Sequence, residues 1–323
     1  MLRVYVLASV IALGQCFTSK PISSPVLHGE GPHWNAENQI LYFVDIAGGT
    51  INLYDPKTGA HNSTLINGEP VTFVIPVEGT TDEFVISTGL DVRDVFWNGS
   101  NNSTANSSII YSALQKPDGS RFNDAKVDRT GRLWAGTMGP ERVPNVITER
   151  TGQLYSVTPS TGIISHLKNL LISNGLAWTE DGKTMYYIDS GDKTVDKFDF
   201  DESAWEPLSN RRTVFNFTEK GVNGVPDGMT IDTNGNLWVA CYGGYQVIVI
   251  DPKSGTLLMS VPIGAEQVSS VTWGGRNLDE LFVTTGRRAL TNEQLRAYPD
   301  SGSTFRITGL NVKGYPAHSY KYI

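Results

Sequence analysis

The chain has 323 residues, 39% of them hydrophobic and 18% charged, and its formal net charge is −7. This length and composition are ordinary for a globular protein with one large or two small domains. Because the charge is modest and no run of five Lys or Arg residues occurs, we expect neither a nucleic-acid nor a membrane partner held by electrostatics, and a small molecule or a cation fits better.

The first residues have the layout of a secretory signal peptide. Arg3 precedes an apolar run at residues 4–13, and small or polar residues follow at 14–16. The run is too short to span a bilayer. We therefore predict a signal peptide at residues 1–16, accurate to a few residues, and a single domain at residues 17–323; the alternative is a buried first strand.

Cleavage there would also remove Cys16. Cys241 would then have no internal disulfide partner, and its place in the apolar segment NLWVACY predicts an inert thiol on a strand.

Asn-x-Ser/Thr sequons cluster in the segment WNGSNNSTANSS. The acceptor residues of the whole chain are Asn62, Asn98, Asn101, Asn102, Asn106 and Asn216. Such a cluster behind a signal sequence favours a secreted, N-glycosylated protein with the glycans on a surface loop.

Short β-rich segments recur at intervals of about 42 to 53 residues, a spacing typical of propeller blades. They are ILYFVDI, EFVIST, RLWAGTM, TMYYIDS, NLWVACY and ELFVTTG. Before each lies a pentad ending in a large apolar residue: EGPHW (30–34), VTFVI (71–75), NDAKV (123–127), NGLAW (174–178), DGMTI (227–231) and SSVTW (269–273). The pattern predicts an all-β, six-bladed β-propeller, with PISSPVLH closing the last blade beside STFRITGL.

The innermost strands of a propeller line one channel, so the first positions of the pentads should lie near each other. These positions are Glu30, Val71, Asn123, Asn174, Asp227 and Ser269. Four of them carry carboxylate or amide oxygens, which would be costly to bury without a partner, and a divalent cation supplies one. The alternative for Asp227 is a turn-forming role, because it stands between a proline and a glycine.

Oxygen ligands without imidazole or thiolate favour a hard cation. We expect one divalent metal ion, with Ca²⁺ preferred over Mn²⁺ and Mg²⁺, and with Zn²⁺ less favoured. The five histidines show no ligand spacing and are interpreted as structural or surface residues.

Five motifs occur in a fixed order: GEGPHW, RFNDAKVD, GTMGPE, ISNGLAW and PDGMTID. With these motifs the chain from Gly29 onwards resembles the regucalcin / senescence marker protein / gluconolactonase family. The segments MYYIDSGDKTVDKFDFD and GGRNLDELFVTT resemble its insect luciferin-regenerating-enzyme branch. The resemblance implies a six-bladed propeller with one divalent metal ion in its channel.

The resemblance also implies roles for individual residues. Metal ligands would be Glu30, Asn174 and Asp227, and Asp227 would also be the catalytic base. Arg121 and Asn123 would contact the substrate, with Asn123 close to the metal as well, and Glu141 would complete the polar pocket.

Two functions are consistent with these residues. The first is a secreted, metal-dependent hydrolase of a lactone or related ester, active as a monomer on a small-molecule substrate. The second is a secreted protein that binds calcium or a small ligand without turnover. We prefer the hydrolase, because a cation site needs neither Arg121 nor Glu141, whereas a polar substrate does need orienting groups of this kind.

Overall fold

The computed structural model describes residues 17–66, 70–101, 105–115, 117–143 and 146–322. These residues form 24 β-strands and one short α-helix. The first strand is β1 (Thr18–Pro21), and the helix is α1 (Asn292–Ala297), which begins with a capping box at Thr291. No helix within these ranges is long and apolar enough to cross a membrane. The predicted signal peptide, Cys16 and Asn102 lie outside the described residues.

Four antiparallel sheets of four strands follow one another along the chain. The first consists of β2 (Gly29–Asn35), β3 (Ile40–Asp45), β4 (Thr50–Asp55) and β5 (Ala60–Leu65). The second consists of β6 (Val74–Pro76), β7 (Glu83–Thr88), β8 (Asp91–Phe96) and β9 (Asn106–Ser112). The third consists of β10 (Arg121–Val127), β11 (Leu133–Met138), β12 (Gly152–Thr158) and β13 (Gly162–Leu170). The fourth consists of β14 (Ser173–Trp178), β15 (Thr184–Asp189), β16 (Thr194–Phe200) and β17 (Leu208–Asn216).

The rest of the chain forms one eight-stranded sheet. Its strands are β18 (Val225–Ile231), β19 (Leu237–Tyr242), β20 (Gln246–Asp251), β21 (Thr256–Pro262), β22 (Gln267–Gly274), β23 (Glu280–Gly286), β24 (Phe305–Thr308) and β1. The predicted six blades are therefore not observed as six sheets, but as four sheets of four strands and one of eight. The physical reason is a single pairing, Tyr242 with Gln267, which joins β19 to β22 and merges two groups of four strands.

The two ends of the described chain meet in this sheet. β1 pairs antiparallel with β24, and Ser19 lies opposite Ile307. The predicted partner strand for this position, PISSPVLH, was wrong by a few residues. Pro25 has no N–H to donate to a strand ladder. The segment PISSPVLH is instead held by two backbone hydrogen bonds, from the N–H of Ile22 to the carbonyl of Thr304 and from the N–H of Val26 to the carbonyl of Gly302.

Five pentads fall on β2, β10, β14, β18 and β22, which each begin a group of four strands, and the pentad at 71–75 runs into β6. These first strands contact one another in the order β10, β14, β18, β22, β2 and β6. They therefore surround a common centre, and the predicted all-β, propeller-like arrangement is confirmed. Five of the six apolar residues that end the pentads are buried, and Trp178 is the half-buried exception.

Polar turns fix the hairpins that follow two of these strands. The Asp128 carboxylate accepts a hydrogen bond from Nε1 of Trp134 at 2.9 Å, and Asp232 does the same for Trp238 at 2.9 Å. Each Asp also accepts backbone N–H groups of its own turn. Both turns have the pattern Asp-x-x-Gly-x-Leu-Trp, which joins the turn to the buried indole of the next strand.

Cys241 is buried on β19 and has no disulfide partner among the described residues. Burial raises the pKa of its thiol well above the ordinary value. A buried thiol that stays protonated is a poor nucleophile, as expected for an inert residue.

Candidate active site

A cavity of about 150 Å³ lies at the end of the central space where the first strands begin. All six side chains that the sequence singled out line it: Glu30, Arg121, Asn123, Glu141, Asn174 and Asp227. The structure therefore brings together residues that are up to 197 positions apart, from Glu30 to Asp227. Their individual roles remain predictions.

Irregular strand pairing exposes these side chains to the cavity. The register of β2 shifts between Glu30 and His33, and β10 and β18 shift in the same way beside Asn123 and Asp227. A β-bulge leaves residues unpaired and re-aims a side chain. Asp227 thus lies on a bulged inner strand rather than in a turn.

Glycines beside the acids allow the inner strands to approach closely. Gly31 has φ of 53°, in the left-handed region, and its N–H donates to Oε2 of Glu30 at 2.8 Å. A Cβ atom on Gly228 would lie 2.0 Å from Oγ of Ser270 on β22. The close packing of β18 against β22 therefore requires a glycine at position 228, and this requirement explains the Asp-Gly pair.

A chain of hydrogen bonds crosses three inner strands. Nη1 of Arg121 donates to Oδ1 of Asn123 at 2.6 Å, and Nδ2 of Asn123 donates to Oδ1 of Asn174 at 2.7 Å. Nδ2 of Asn174 donates to Oγ of Ser190 at 2.7 Å, and that hydroxyl donates to the carbonyl of Pro226 at 2.6 Å. The network fixes both amides and ends on the residue before Asp227.

The acids in the cavity are held close enough to repel one another. Burial raises the pKa of Glu30, and the nearby charge of Asp124 raises it further. Burial also raises the pKa of Asp227 well above its usual range, with Glu30 as the next cause. Arg121 opposes both effects, but its own pKa is lowered to about 10, chiefly by burial. Added positive charge in the cavity would therefore favour ionisation of both acids.

This donor set fits a hard divalent cation by its chemistry. Glu30, Asn174 and Asp227 are buried and offer two carboxylates and one amide, with no imidazole or thiolate among them. Within the described ranges, no three His, Cys, Asp or Glu side chains are grouped as metal ligands. Metal ligation by these three residues is therefore supported by chemistry and charge, and it stays a prediction.

Sequence reasoning missed several residues at the cavity. His28, Ser190, Tyr242 and Arg288 also line it. Burial, followed by the charges of Arg121 and Arg288, lowers the pKa of His28 to about 4, so its imidazole is neutral at pH 7. The available signal was position: Tyr242 ends the recurrent segment NLWVACY, and Arg288 follows ELFVTTG by two residues.

A repeated aspartate clamp positions two segments of the cavity wall. The carboxylate of Asp45 accepts the N–H groups of Leu27 and His28 at 2.9 and 2.8 Å. Asp189 at the equivalent strand end accepts those of Leu171 and Ile172, both at 3.0 Å. Asp45 ends β3 and Asp189 ends β15, at equivalent places in the segments ILYFVDI and TMYYIDS, so the clamp recurs with the repeat.

A larger cavity of about 340 Å³ lies at the other end of the first strands. Its walls include Trp178, Phe200 and Pro316, and its surface is mostly apolar. It contains none of the six predicted residues. We assign the chemistry to the smaller cavity, because only that one combines paired acids with orienting amide and guanidinium groups.

Comparisons with known proteins agree with this geometry. The family model described as "SMP-30/Gluconolactonase/LRE-like region" matches residues 28–287. Regucalcin from Gallus gallus is 35% identical over 292 residues, which cover 90% of this chain and 94% of that protein. A solved structure of luciferin-regenerating enzyme is 36% identical, with a TM-score of 0.88, over 95% of this chain and 100% of that chain.

A regucalcin structure from Agrobacterium tumefaciens, described as a calcium-binding protein, is 21% identical, with a TM-score of 0.83, over 94% of this chain and 97% of that one. At that identity the likeness concerns the fold alone. The family model and the relatives above 30% identity together cover most of the chain. The chain therefore belongs to the SMP-30/gluconolactonase/LRE-like family.

Proposed function

We propose that the protein is a secreted, divalent-metal-dependent hydrolase of a lactone or related ester. Its family supports a lactonase-type function on a small-molecule substrate. The observation that carries the proposal is the single cavity that contains Glu30, Arg121, Asn123, Glu141, Asn174 and Asp227.

The scaffold is a six-bladed propeller in this proposal. The eight-stranded sheet divides into β18 to β21 and β22 to β24 with β1, and one strand pairing, Tyr242 with Gln267, joins the two groups. Each group has four strands, as each separate sheet does. Counting them as two blades gives the six units that the pentads predict.

The metal ion would be held by Glu30, Asn174 and Asp227. When bound, a divalent cation polarises the substrate carbonyl and lowers the pKa of water. Ca²⁺ is our first choice, because the proposed ligands are all oxygens and two of them belong to carboxylates.

The remaining steps belong to the side chains of the cavity. Asp227 accepts a proton from the attacking water and returns it to the leaving alkoxide, so that one ester bond is broken and an acid and an alcohol group are formed. Arg121 and Asn123, already hydrogen-bonded to each other, orient the substrate oxygens. Glu141 completes the polar wall of the cavity and accepts a hydrogen bond from Arg288.

Secretion and N-glycosylation are part of the proposal. Asn106 begins the edge strand β9 and Asn98 lies between β8 and β9, and both are exposed. Asn101 is also exposed, but its Nδ2 donates to Oδ1 of Asn62 at 3.0 Å. Asn62 is partly buried and donates to the carbonyl of Gly99 at 2.8 Å, so glycosylation there competes with a hydrogen bond.

The experiment that tests this function is a hydrolysis screen on the glycosylated protein. Aldonolactones, aromatic lactones and simple esters are each offered with Ca²⁺, Mn²⁺, Mg²⁺ or Zn²⁺, and with a chelator. The proposal expects turnover of at least one lactone or ester that the chelator abolishes. Turnover that the chelator leaves unchanged would contradict the metal dependence.

The second candidate is a binding protein for calcium or a small ligand without turnover. The raised pKa values of Glu30 and Asp227 favour a cation in the cavity whether or not a reaction follows. Metal binding without hydrolysis of any substrate in the screen would favour this candidate.

A further inference from the structure

Arg288 is fixed at the cavity although no motif marked it. It follows β23 by two residues, and its carbonyl accepts a hydrogen bond from Nε2 of Gln267 at 2.8 Å. Its Nη1 donates to Oε2 of Glu141 at 3.0 Å, with 35% of the Arg288 side chain and 18% of the Glu141 side chain exposed. The guanidinium is thus held at the mouth of the cavity, between the protein and solvent.

The charges of the cavity do not balance once a metal ion is considered. Among the described residues that line the cavity, five have charged side chains: Glu30, Arg121, Glu141, Asp227 and Arg288. Glu30 and Asp227 together neutralise a divalent cation. Two guanidinium groups then face one carboxylate, which leaves one positive charge beside the buried guanidinium of Arg121. Asp124, outside the cavity lining, is offset by Lys126. Burying an unbalanced charge is costly, so the site favours an anion.

Both guanidinium groups retain free donors. Nη1 of Arg121 donates to the carbonyl of Phe122 at 2.9 Å and to Asn123, whereas its Nε and Nη2 donate to no described residue. Arg288 donates only to Glu141 within the described part of the chain. A guanidinium presents its donors as a planar fork that matches a carboxylate.

We propose that Arg288, together with Arg121, binds an anionic group that the substrate carries in addition to its reacting carbonyl. The substrate class is then a lactone or ester with a free carboxylate, whose hydrolysis yields a dicarboxylate. This inference rests on the proposed hydrolase function. A cavity of about 150 Å³ has the volume of about five liquid waters, which suits a small aliphatic acid.

Equilibrium binding tests the proposal without turnover. Isothermal titration calorimetry compares glutarate with 5-hydroxypentanoate, which has the same chain with a hydroxyl in place of one carboxylate, at matched free Ca²⁺. We expect the wild type to prefer glutarate by about tenfold or more, the low end for a hydrogen bond to a charged group. Arg288→Gln should lose most of this preference while its melting temperature stays near that of the wild type.

Arg287→Gln is the matched control, because it makes the same chemical change one residue earlier and Arg287 does not line the cavity. This variant should keep the preference for glutarate. No preference in the wild type, or the same preference in Arg288→Gln, overturns the proposal. Equal weakening of both ligands in Arg288→Gln also overturns it, since Arg288 would then only position Glu141. Selective binding without any hydrolysis would leave this inference standing and count against the proposed function.

Discussion

Binding of a divalent cation should release protons, because burial raises the pKa of both predicted carboxyl ligands, Glu30 and Asp227. Burial and the charge of Asp124 raise the pKa of Glu30 to about 8. A carboxyl with that pKa is about 90% protonated at pH 7, 50% at pH 8 and 10% at pH 9, and it must ionise to bind the metal. Glu30 should therefore release most of a proton per Ca²⁺ at pH 7, and Asp227 should add to that number.

The same linkage sets the pH dependence of affinity and stability. The apparent dissociation constant for Ca²⁺ should fall about tenfold per pH unit for each proton released between pH 6 and 7. The folded metal-free protein binds more protons than the unfolded chain, so its stability falls as the pH rises from the ordinary pKa of Glu towards 8. Saturating Ca²⁺ should reverse that loss.

Calorimetry in buffers with different ionisation enthalpies measures the released protons directly. Glu30→Gln should release about one proton fewer at pH 7 and bind Ca²⁺ more weakly. Glu78→Gln is the control, since Glu78 is exposed and pairs with Lys321 outside the cavity. Ca²⁺ binding with no proton release between pH 6 and 8 would refute the reasoning, as would the absence of Ca²⁺ binding.

Three further predictions concern the fold and secretion. Deleting residues 17–21 should destabilise the protein by about 2–4 kcal/mol in denaturant unfolding, at about 1 kcal/mol per ladder hydrogen bond, and unchanged stability would contradict the closure by β1. Tyr320→Ala should cost about 3–5 kcal/mol because the ring is fully buried, whereas Tyr320→Phe should cost little, and equal costs would argue against ring burial as the cause. The protein expressed in a secretory host should reach the medium and lose mass after enzymatic removal of N-glycans, and retention of an unglycosylated full-length chain in the cytosol would contradict secretion.

Much of the fold could be predicted because the same local sequence features recur in most repeats. Each pentad ends in a large apolar residue, and most are followed by a polar turn such as those of Asp128 and Asp232. The interval between pentads is the length of one four-stranded unit. The sheet count could not be predicted, because it depends on one pairing between Tyr242 and Gln267. The partner of β24 was misplaced because β1 lies next to the predicted cleavage site, in a segment without alternation.

The cavity residues could be predicted where the repeat itself places them. Glu30, Asn174 and Asp227 occupy one position of the pentad, and the bulges in their strands make that position face the centre. Arg288 lies on the loop after β23, and its place depends on the contact with Glu141 on the loop after β11. His28 was missed because its position depends on the clamp by Asp45, whose partner lies 17 residues away.

The turnover number of Asp227→Asn at saturating Ca²⁺ tests the hydrolase proposal most directly. The substitution keeps the size and one ligating oxygen but removes the base, and loss of general-base catalysis costs about 10² to 10⁴ in rate. Asp118→Asn, at a side chain 99% exposed, is the matched control and should keep the wild-type rate. We predict a loss of at least about 10²-fold in kcat for Asp227→Asn with a melting temperature near that of the wild type; restoration of the wild-type rate by excess metal would contradict the role of Asp227 as the base.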